Sequence, residues 1–247
     1  MGFVVTILAA GEGKRMRSDL PKVLHIFNGK PMLVRILEVV HTLSPDKIII
    51  VTGRHHKQII NTLSRYIDIF GIIFVEQYEP LGTGHAVRYC LDHYENIDRV
   101  LILNGDMPLL SRTVIENLMK KSNSHDGAIV VARLDNPTGY GRIVYEEDKL
   151  AAIVEEASCT EYQKKIDIVN VGIYLFTGEV LKRYIPNISN DNSKKEYYLT
   201  DIIKDLYEYS IGFRITTVLL ESDENIMIRG VNTPEELAEL ENLSKIK

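Results

Sequence analysis

The chain has 247 residues, with 34 acidic and 29 basic side chains and a formal net charge of −5. This acidic balance argues against a nucleic-acid partner, and no apolar run approaches the roughly 20 residues of a membrane span or forms a signal-peptide core. The two cysteines, Cys90 and Cys159, fit neither a disulfide framework nor a zinc motif. They are typical of reduced thiols, so we expect a cytoplasmic protein.

The first half of the chain alternates short apolar runs with amphipathic segments, which predicts strands and helices in turn. The predicted strands are 3–8, 47–51, 72–75, 100–103 and 128–132, and the predicted helices are 32–43, 56–66, 83–93 and 113–121. Strands with almost continuous apolar character are typical of a parallel sheet that is covered on both faces. The expected fold class is therefore α/β, a Rossmann-like doubly wound sheet with ligands at the carboxyl ends of its strands.

The second half has a different pattern. Short alternating runs at 142–145 and 151–155, followed by a strand at 168–176, predict a small antiparallel β region beside the main sheet. Helices are predicted at 199–209 and 234–243, a strand at 214–219 and a strand-like pair at 227–228; the polar segment 187–195 is predicted to be a loop. The pattern contains no domain boundary, so we expect a single domain over 1–247.

A loop with two glycines and three cations follows the first strand. It includes Gly11, Gly13, Lys14 and Arg15, and Lys22 comes shortly afterwards. Glycine allows a close approach of the backbone to phosphate, and fixed positive charge neutralises the anion. The loop lacks the third glycine of the dinucleotide fingerprint and the Gly-Lys-Ser/Thr string of the P-loop. It therefore indicates triphosphate binding of another kind, and the alternative is a glycine turn with solvated cations.

Seven motifs in a fixed order extend this signal over nearly the whole chain. They are L-A-A-G-E-G-K-R-M (8–16) with L-P-K (20–22), L-G-T-G-H-A (81–86), N-G-D-M-P-L (104–109), P-T-G-Y-G-R-I (137–143) with I-V-E (153–155), V-N-V-G (169–172), E-Y-Y-L-T-D (196–201) and G-V-N (230–232). Together they resemble the sugar-nucleotidyltransferases, and within that family the uridylyltransferase domain of the bacterial bifunctional uridylyltransferase/acetyltransferases.

The resemblance implies attack of a sugar-1-phosphate on the α-phosphorus of UTP, with Mg²⁺ as the cofactor. By the matching motif positions, Arg15 binds the β- and γ-phosphates, and Lys22 binds the α-phosphate and the sugar phosphate. Asp106 and Asn232 are the implied Mg²⁺ ligands, an oxygen set that this hard cation accepts. From position alone Asp106 could instead form a turn, and either Asn232 or Thr233 could cap the last helix.

The resemblance also divides the chain into a nucleotide-binding half (1–135) and a sugar-binding half (136–247). Gln77 is the implied reader of uracil, since a side-chain amide both donates and accepts. The other nucleotide contacts implied are Leu8, Ala9, Ala10, Gly11, Gly13, Gly82 and Thr83, with a simple helix cap as the alternative for Thr83. The sugar contacts implied are Asn104, Gly141, Glu155, Asn170, Tyr197 and Thr200.

Two features depart from the family pattern. Asn104 stands where these relatives often carry tyrosine at the border of the sugar pocket, and the sequence ends at residue 247. We therefore expect no acetyltransferase β-helix, in either a stand-alone uridylyltransferase or an excised domain. We expect a uridylyltransferase that forms UDP-N-acetylglucosamine, as a monomer or small homo-oligomer without acetyl-CoA chemistry. The alternatives are glucose-1-phosphate or dTTP as substrate, or a catalytically silent regulator that binds nucleotide sugars.

Overall fold

A mixed β-sheet forms the centre of the protein, and the computed structural model describes residues 2–209 and 212–245 around it. The strands are β1 Phe3–Ala9, β2 Ile26–Phe27, β3 Lys30–Pro31, β4 Lys47–Thr52, β5 Ile72–Glu76, β6 Arg99–Asn104, β7 Gly127–Arg133, β8 Gly141–Glu146, β9 Lys149–Val154, β10 Ile168–Thr177 and β11 Ile215–Leu219. The helices are α1 Met32–Thr42, α2 His56–Leu63, α3 Thr83–Arg88, α4 Arg112–Lys121, α5 Gly178–Tyr184, α6 Asp201–Tyr209 and α7 Pro234–Ser244.

Strand order in the main sheet is β11-β7-β10-β6-β1-β4-β5. Neighbouring strands are parallel except at β10, which runs antiparallel to both β6 and β7. The hairpin of β8 and β9 joins the sheet through an antiparallel pairing of β8 with the start of β10. The predicted mostly parallel sheet with a small antiparallel region is therefore confirmed, and that region is continuous with the sheet.

Helices cover both faces of the sheet because successive strand residues point to opposite sides. Val5 and Ile7 belong to a buried cluster on the side of α1, α2 and α4, together with Leu37 of α1. Val4 belongs to the opposite cluster, on the side of α3, α5 and α6, together with Val87 of α3. This double cover explains why the central strands are apolar along their whole length.

Three helical segments differ from the sequence expectation. The predicted helix 83–93 is interrupted: α3 ends at Arg88, and the backbone tightens into i→i+3 hydrogen bonds around the fully buried Cys90. The predicted helix 56–66 already ends at Leu63, where the chain makes the same kind of tight turn. Helix α5 was not predicted; the Thr177 hydroxyl caps it by accepting a hydrogen bond from the Val180 N–H.

The strand-like prediction at 227–228 is wrong. Met227 and Ile228 end a 3₁₀ segment, Ser222–Ile228, which a capping box of Glu221 and Glu224 begins. Reciprocal side-chain-to-backbone hydrogen bonds satisfy the first N–H groups of this segment and favour the helical turn over an extended conformation. Within the described ranges, no helix is both long and apolar enough to cross a lipid bilayer.

Candidate active site

A cleft of about 590 Å³ opens at the carboxyl ends of β1, β5 and β6. Parallel strands bring their carboxyl ends to one edge of the sheet, so the loops that follow them meet there. Most of the predicted site residues line this cleft: Leu8, Ala10, Gly11, Gly13, Arg15, Lys22, Gln77, Gly82, Thr83, Asn104, Asp106, Glu155 and Asn232. The cleft therefore gathers both predicted phosphate-binding cations, both predicted metal ligands and the predicted base reader.

Five predicted residues do not line the cleft. Ala9 is buried in the core on the side of α1, because it alternates along β1 with Leu8 and Ala10. The other four are not among the residues that line the cleft and instead contact neighbouring residues through side chain or backbone: Gly141, Asn170, Tyr197 and Thr200.

The glycine loop after β1 is shaped for an anion. Gly13 has a φ of +62°, and a Cβ on it would lie 2.7 Å from the Cβ of Lys22, so only glycine fits against this lysine. Within the described part of the chain, the N–H groups of Gly11, Glu12 and Gly13 donate to no other residue. Arg15 is exposed at the cleft and forms no ion pair with a described carboxylate. The loop thus offers free donors and a free cation.

Lys22, Asp106 and Asn232 meet in the cleft although they are far apart in sequence. The Lys22 ammonium donates to Asp106 Oδ2 and, at 3.1 Å, to Asn232 Oδ1. Lys22 and Asp106 are each about five-sixths buried, with side-chain exposures of 15% and 16%. A charge at such a depth requires a partner, so the three side chains form one electrostatic unit.

The capping alternative for Asn232 is resolved by the geometry of α7. Thr233 is the N-cap, since its hydroxyl accepts the Glu236 N–H at 3.1 Å. The Asn232 N–H donates to the Glu236 carboxylate at 2.7 Å, which leaves the Asn232 side chain to face Lys22. The backbone bond from Val231 N to Asp106 O, at 2.9 Å, aligns this segment with the end of β6.

Gln77 directly follows β5, and its side-chain amide is held by the loop before α3. Its Nε2 donates to Gly82 O at 3.2 Å and contacts His85 Nδ1 at 3.0 Å. Gly82 has a φ of +107°, and a Cβ there would lie 2.5 Å from Tyr197 O. Glycine is required at this position because the loop packs directly against the backbone of the segment before α6.

Thr83 and Tyr197 connect the two halves of the chain. Thr83 Oγ1 accepts the Leu199 N–H at 3.0 Å, and the N-cap of α3 is Gly82, so Thr83 is not a simple helix cap. The Tyr197 ring stacks on His85, with centroids 5.8 Å apart and planes inclined by 24°. Tyr197 thus packs against His85, which in turn contacts Gln77 in the wall of the cleft.

Glu155 is the predicted sugar contact that does reach the cleft. Thr200, which is almost fully buried, donates its hydroxyl to Glu155 Oε1 at 2.9 Å. Burial raises the pKa of Glu155, and the hydrogen bond from Thr200 opposes this shift. Thr200 therefore orients the carboxylate rather than lining the cleft itself.

Asn170 and Gly141 are register partners in the pairing of β10 with β8. The Asn170 amide is used within a bulge of β10: it donates to the Tyr174 hydroxyl at 2.7 Å and accepts the Gly172 N–H at 3.2 Å. Asn104 packs on the same bulge, because a Cβ on Gly172 would lie 2.2 Å from Asn104 Nδ2. These residues shape the wall on the side of β10.

Several residues of the cleft were not singled out from the sequence. Glu12, Lys194, Glu196 and Tyr198 all line it. Lys194 belongs to the polar loop predicted at 187–195, which the Asn192 side chain organises through its bonds to Lys194 N, Glu196 N and Glu196 O. Only the position of Lys194 beside E-Y-Y-L-T-D could have indicated that this loop faces the site.

A doubly wound sheet with a glycine loop, two cations and an acid–amide pair at its carboxyl edge is typical of nucleotide-binding transferases. The model of the MobA-like NTP transferase domain family matches residues 5–167. A viral relative from Acanthamoeba polyphaga mimivirus, named "Probable UDP-N-acetylglucosamine pyrophosphorylase", is 43% identical over 246 residues, which cover 98% of this chain and 96% of the relative. The chain belongs to the MobA-like nucleotidyltransferase family.

One further relative matches this chain over only part of its own length, and one solved structure matches it in fold. The bifunctional protein GlmU of Francisella philomiragia is 43% identical over 98% of this chain, and this chain spans 51% of the length of that relative. The crystal structure of HddC from Yersinia pseudotuberculosis with GMP-PN matches over the full length of both chains, with a TM-score of 0.70 and 21% identity. This last likeness concerns the fold alone. Nucleotidyltransferases of this family generally use a divalent metal.

Asp201, the first residue of α6, lines a smaller cavity of about 200 Å³ together with Glu155. Burial first, and then the charge of Glu155, raises the pKa of Asp201 to about 6 from 3.8. The folded state therefore binds this proton more tightly than the unfolded chain, and the stability contributed by Asp201 falls as pH rises through 6.

We predict that Asp201→Asn stabilises the protein relative to wild type. The difference in the free energy of unfolding should grow by about 1 kcal/mol between pH 5 and pH 7.5, because partial solvent exposure of Asp201 reduces the energy that its full pKa shift implies. Urea unfolding of both proteins at the two pH values measures this change. The same difference in unfolding free energy at both pH values would contradict a raised pKa of Asp201 in the folded state.

Proposed function

We propose that this protein transfers UMP from UTP to N-acetylglucosamine-1-phosphate, forming UDP-N-acetylglucosamine and pyrophosphate. The main support for this proposal is the convergence of Lys22, Asp106 and Asn232 beside a loop whose N–H groups donate to no residue of the described ranges. This arrangement suits a reaction between two phosphate anions, which needs alignment and neutralisation of charge more than covalent help. The name of the mimivirus relative, "Probable UDP-N-acetylglucosamine pyrophosphorylase", supports the choice of nucleotide and sugar.

In the proposed reaction, a phosphate oxygen of the sugar-1-phosphate attacks the α-phosphorus of UTP. A new O–Pα bond forms, the bond from Pα to the bridging oxygen of the β-phosphate breaks, and pyrophosphate leaves with the negative charge. Lys22 neutralises the α-phosphate and the incoming phosphate, and Arg15 neutralises the charge that grows on pyrophosphate. The N–H groups of Gly11 and Gly13 line the path of the phosphates.

The acid–amide pair suits Mg²⁺. Asp106 Oδ2 and Asn232 Oδ1 already converge on one positive charge, the Lys22 ammonium, and a carboxylate with an amide oxygen is a donor set for a hard cation. We propose that these two residues hold Mg²⁺ together with substrate phosphates. Bound there, the ion would supply Lewis-acid neutralisation of the phosphate oxygens.

The proposal assigns nucleotide binding to residues 1–135 and sugar binding to residues 136–247. Gln77 reads the uracil, with the backbone of Leu8, Ala10 and Gly82 around the base. Glu155 binds sugar hydroxyls, and Thr200 and Asn170 act behind it by fixing the carboxylate and the β10 bulge. Asn104, at the end of β6 and packed against this bulge, borders the acetamido group.

The direct test is pyrophosphate release by the purified protein with Mg²⁺, UTP and N-acetylglucosamine-1-phosphate. Parallel reactions contain glucose-1-phosphate, dTTP in place of UTP, or EDTA. We expect release with UTP, the acetamido sugar and the metal, and little release in the other reactions. Release with glucose-1-phosphate instead would move the sugar assignment and implicate Asn104. Absence of release with every pair, despite binding of UTP, would indicate a silent binding protein and contradict the proposal.

We predict that Lys22→Ala lowers kcat/KM by roughly 10²–10³-fold, because it removes a cation that acts where charge develops. The fold should persist, since Val23 and Leu24, not Lys22, anchor this turn in the core. Lys30→Ala is the matched control: it also removes a lysine from an ion pair, with Glu38, but outside the cleft.

Steady-state kinetics and thermal unfolding of both variants decide this prediction. Near wild-type turnover by Lys22→Ala, or an equal loss in Lys30→Ala, would count against the phosphate role of Lys22.

A further inference from the structure

Two contacts hold the Gln77 amide, and the first is to an unambiguous acceptor. A carbonyl oxygen only accepts hydrogen bonds, so the amide atom that faces Gly82 O at 3.2 Å must be the NH₂ group. The carbonyl oxygen of the amide, Oε1, then lies on the opposite edge. Gln77 is buried but lines the cleft, and no residue in the described ranges donates a hydrogen bond to this Oε1. The free acceptor is therefore available to a ligand.

His85 holds the same NH₂ group from the other side. Gln77 Nε2 lies 3.0 Å from His85 Nδ1, and because the NH₂ group only donates, this contact is a hydrogen bond in the tautomer whose Nδ1 carries the lone pair. The Glu79 carbonyl lies 3.1 Å from the same ring nitrogen and could bond only to a protonated Nδ1. The two contacts exclude each other, so the state of Nδ1 and the orientation of the Gln77 amide are coupled.

The His85 ring has little freedom to turn away. One face stacks on Tyr197, and Tyr89 contacts the ring edge-on with centroids 5.1 Å apart. Tyr197 is itself anchored through its N–H to Leu81 O at 2.7 Å. Stacking places the ring, and Nδ1 then restricts the amide to one of its two orientations.

We propose that His85 is a positioning residue for nucleobase selection: by accepting from Gln77 Nε2, it keeps Gln77 Oε1 directed at the base. An imide base such as uracil presents an N3–H donor to this oxygen. Cytosine presents a lone pair at N3, so the two acceptors would face each other without a proton. The inference rests on the proposed function, in which Gln77 reads the base, and it assigns the selectivity for uracil over cytosine to the pair of Gln77 and His85.

Three substitutions separate the acceptor from the ring. His85→Phe keeps the stacking on Tyr197 but removes the acceptor. His85→Asn places an oxygen close to the position of Nδ1, whereas His85→Gln reaches further and places its polar group near Nε2. If the hydrogen-bond acceptor at Nδ1 determines the preference for UTP over CTP, the Asn variant should retain this preference, and the Phe and Gln variants should lose it.

The experiment measures dissociation constants for UTP and CTP by calorimetry with Mg²⁺, for wild type and the three variants, after thermal unfolding has confirmed that each is folded. We expect wild type and His85→Asn to favour UTP strongly, and the UTP/CTP ratio to fall at least tenfold in His85→Phe and His85→Gln. As a second measurement, the His85→Phe substitution should not change this ratio in a Gln77→Leu background.

Each result supports or overturns the inference. An unchanged ratio in His85→Phe, a lost ratio in His85→Asn, or a wild type without preference for UTP overturns it. Binding selectivity does not require turnover, so the failure of the proposed function can be recognised separately. Pyrophosphate release by wild type with an unchanged ratio in His85→Phe rejects the inference alone. A His85-dependent ratio without release from any sugar phosphate rejects the proposed function alone.

Discussion

The buried positive charge of Lys22 is the constraint around which the site is arranged. Its ammonium lies at the edge of the sheet, largely removed from solvent, and both Asp106 and Asn232 accept hydrogen bonds from it. Those partners are 84 and 210 positions away, so one interaction joins the glycine-loop region, the end of β6 and the segment before α7. The same pair of oxygens suits a metal ion, and the proposed chemistry depends on that shared position.

The second half of the chain mainly contacts and positions residues that line the cleft or support its wall. Tyr197 stacks on His85, Thr83 accepts the Leu199 N–H, and Thr200 orients Glu155. The segment E-Y-Y-L-T-D therefore contributes mostly positioning contacts, and only Glu196 and Tyr198 from it line the cleft. Such rigid support is what a displacement reaction needs, because small misalignments of the reacting groups lower its rate. This segment also connects the wall near Gln77, through Tyr197, with the proposed sugar site at Glu155, through Thr200.

The sequence predicted the central strands because each carries a long apolar run, and it predicted the cleft because strand ends meet at one edge. Two short elements were not predicted, because each depends on a short local motif. Asn28 and Gly29, both with positive φ, form the turn of the β2–β3 hairpin. Thr177 is the N-cap of helix α5. Roles that depend on tertiary contact could not be predicted. Thr200 faces Glu155 rather than the cleft, and Lys194 reaches the cleft only because the loop folds around Asn192.

The measurement that tests the account most directly is Mg²⁺ binding in the presence of UTP, by calorimetry, in wild type, Asp106→Ala and the control Asp19→Ala. Asp19 is an exposed acid in the segment between β1 and β2 and does not line the cleft. The account predicts at least tenfold weaker metal binding in Asp106→Ala and unchanged binding in Asp19→Ala. Equal metal affinity in all three proteins would contradict the claim that Asp106 and Asn232 form the cation site on which the proposed reaction depends.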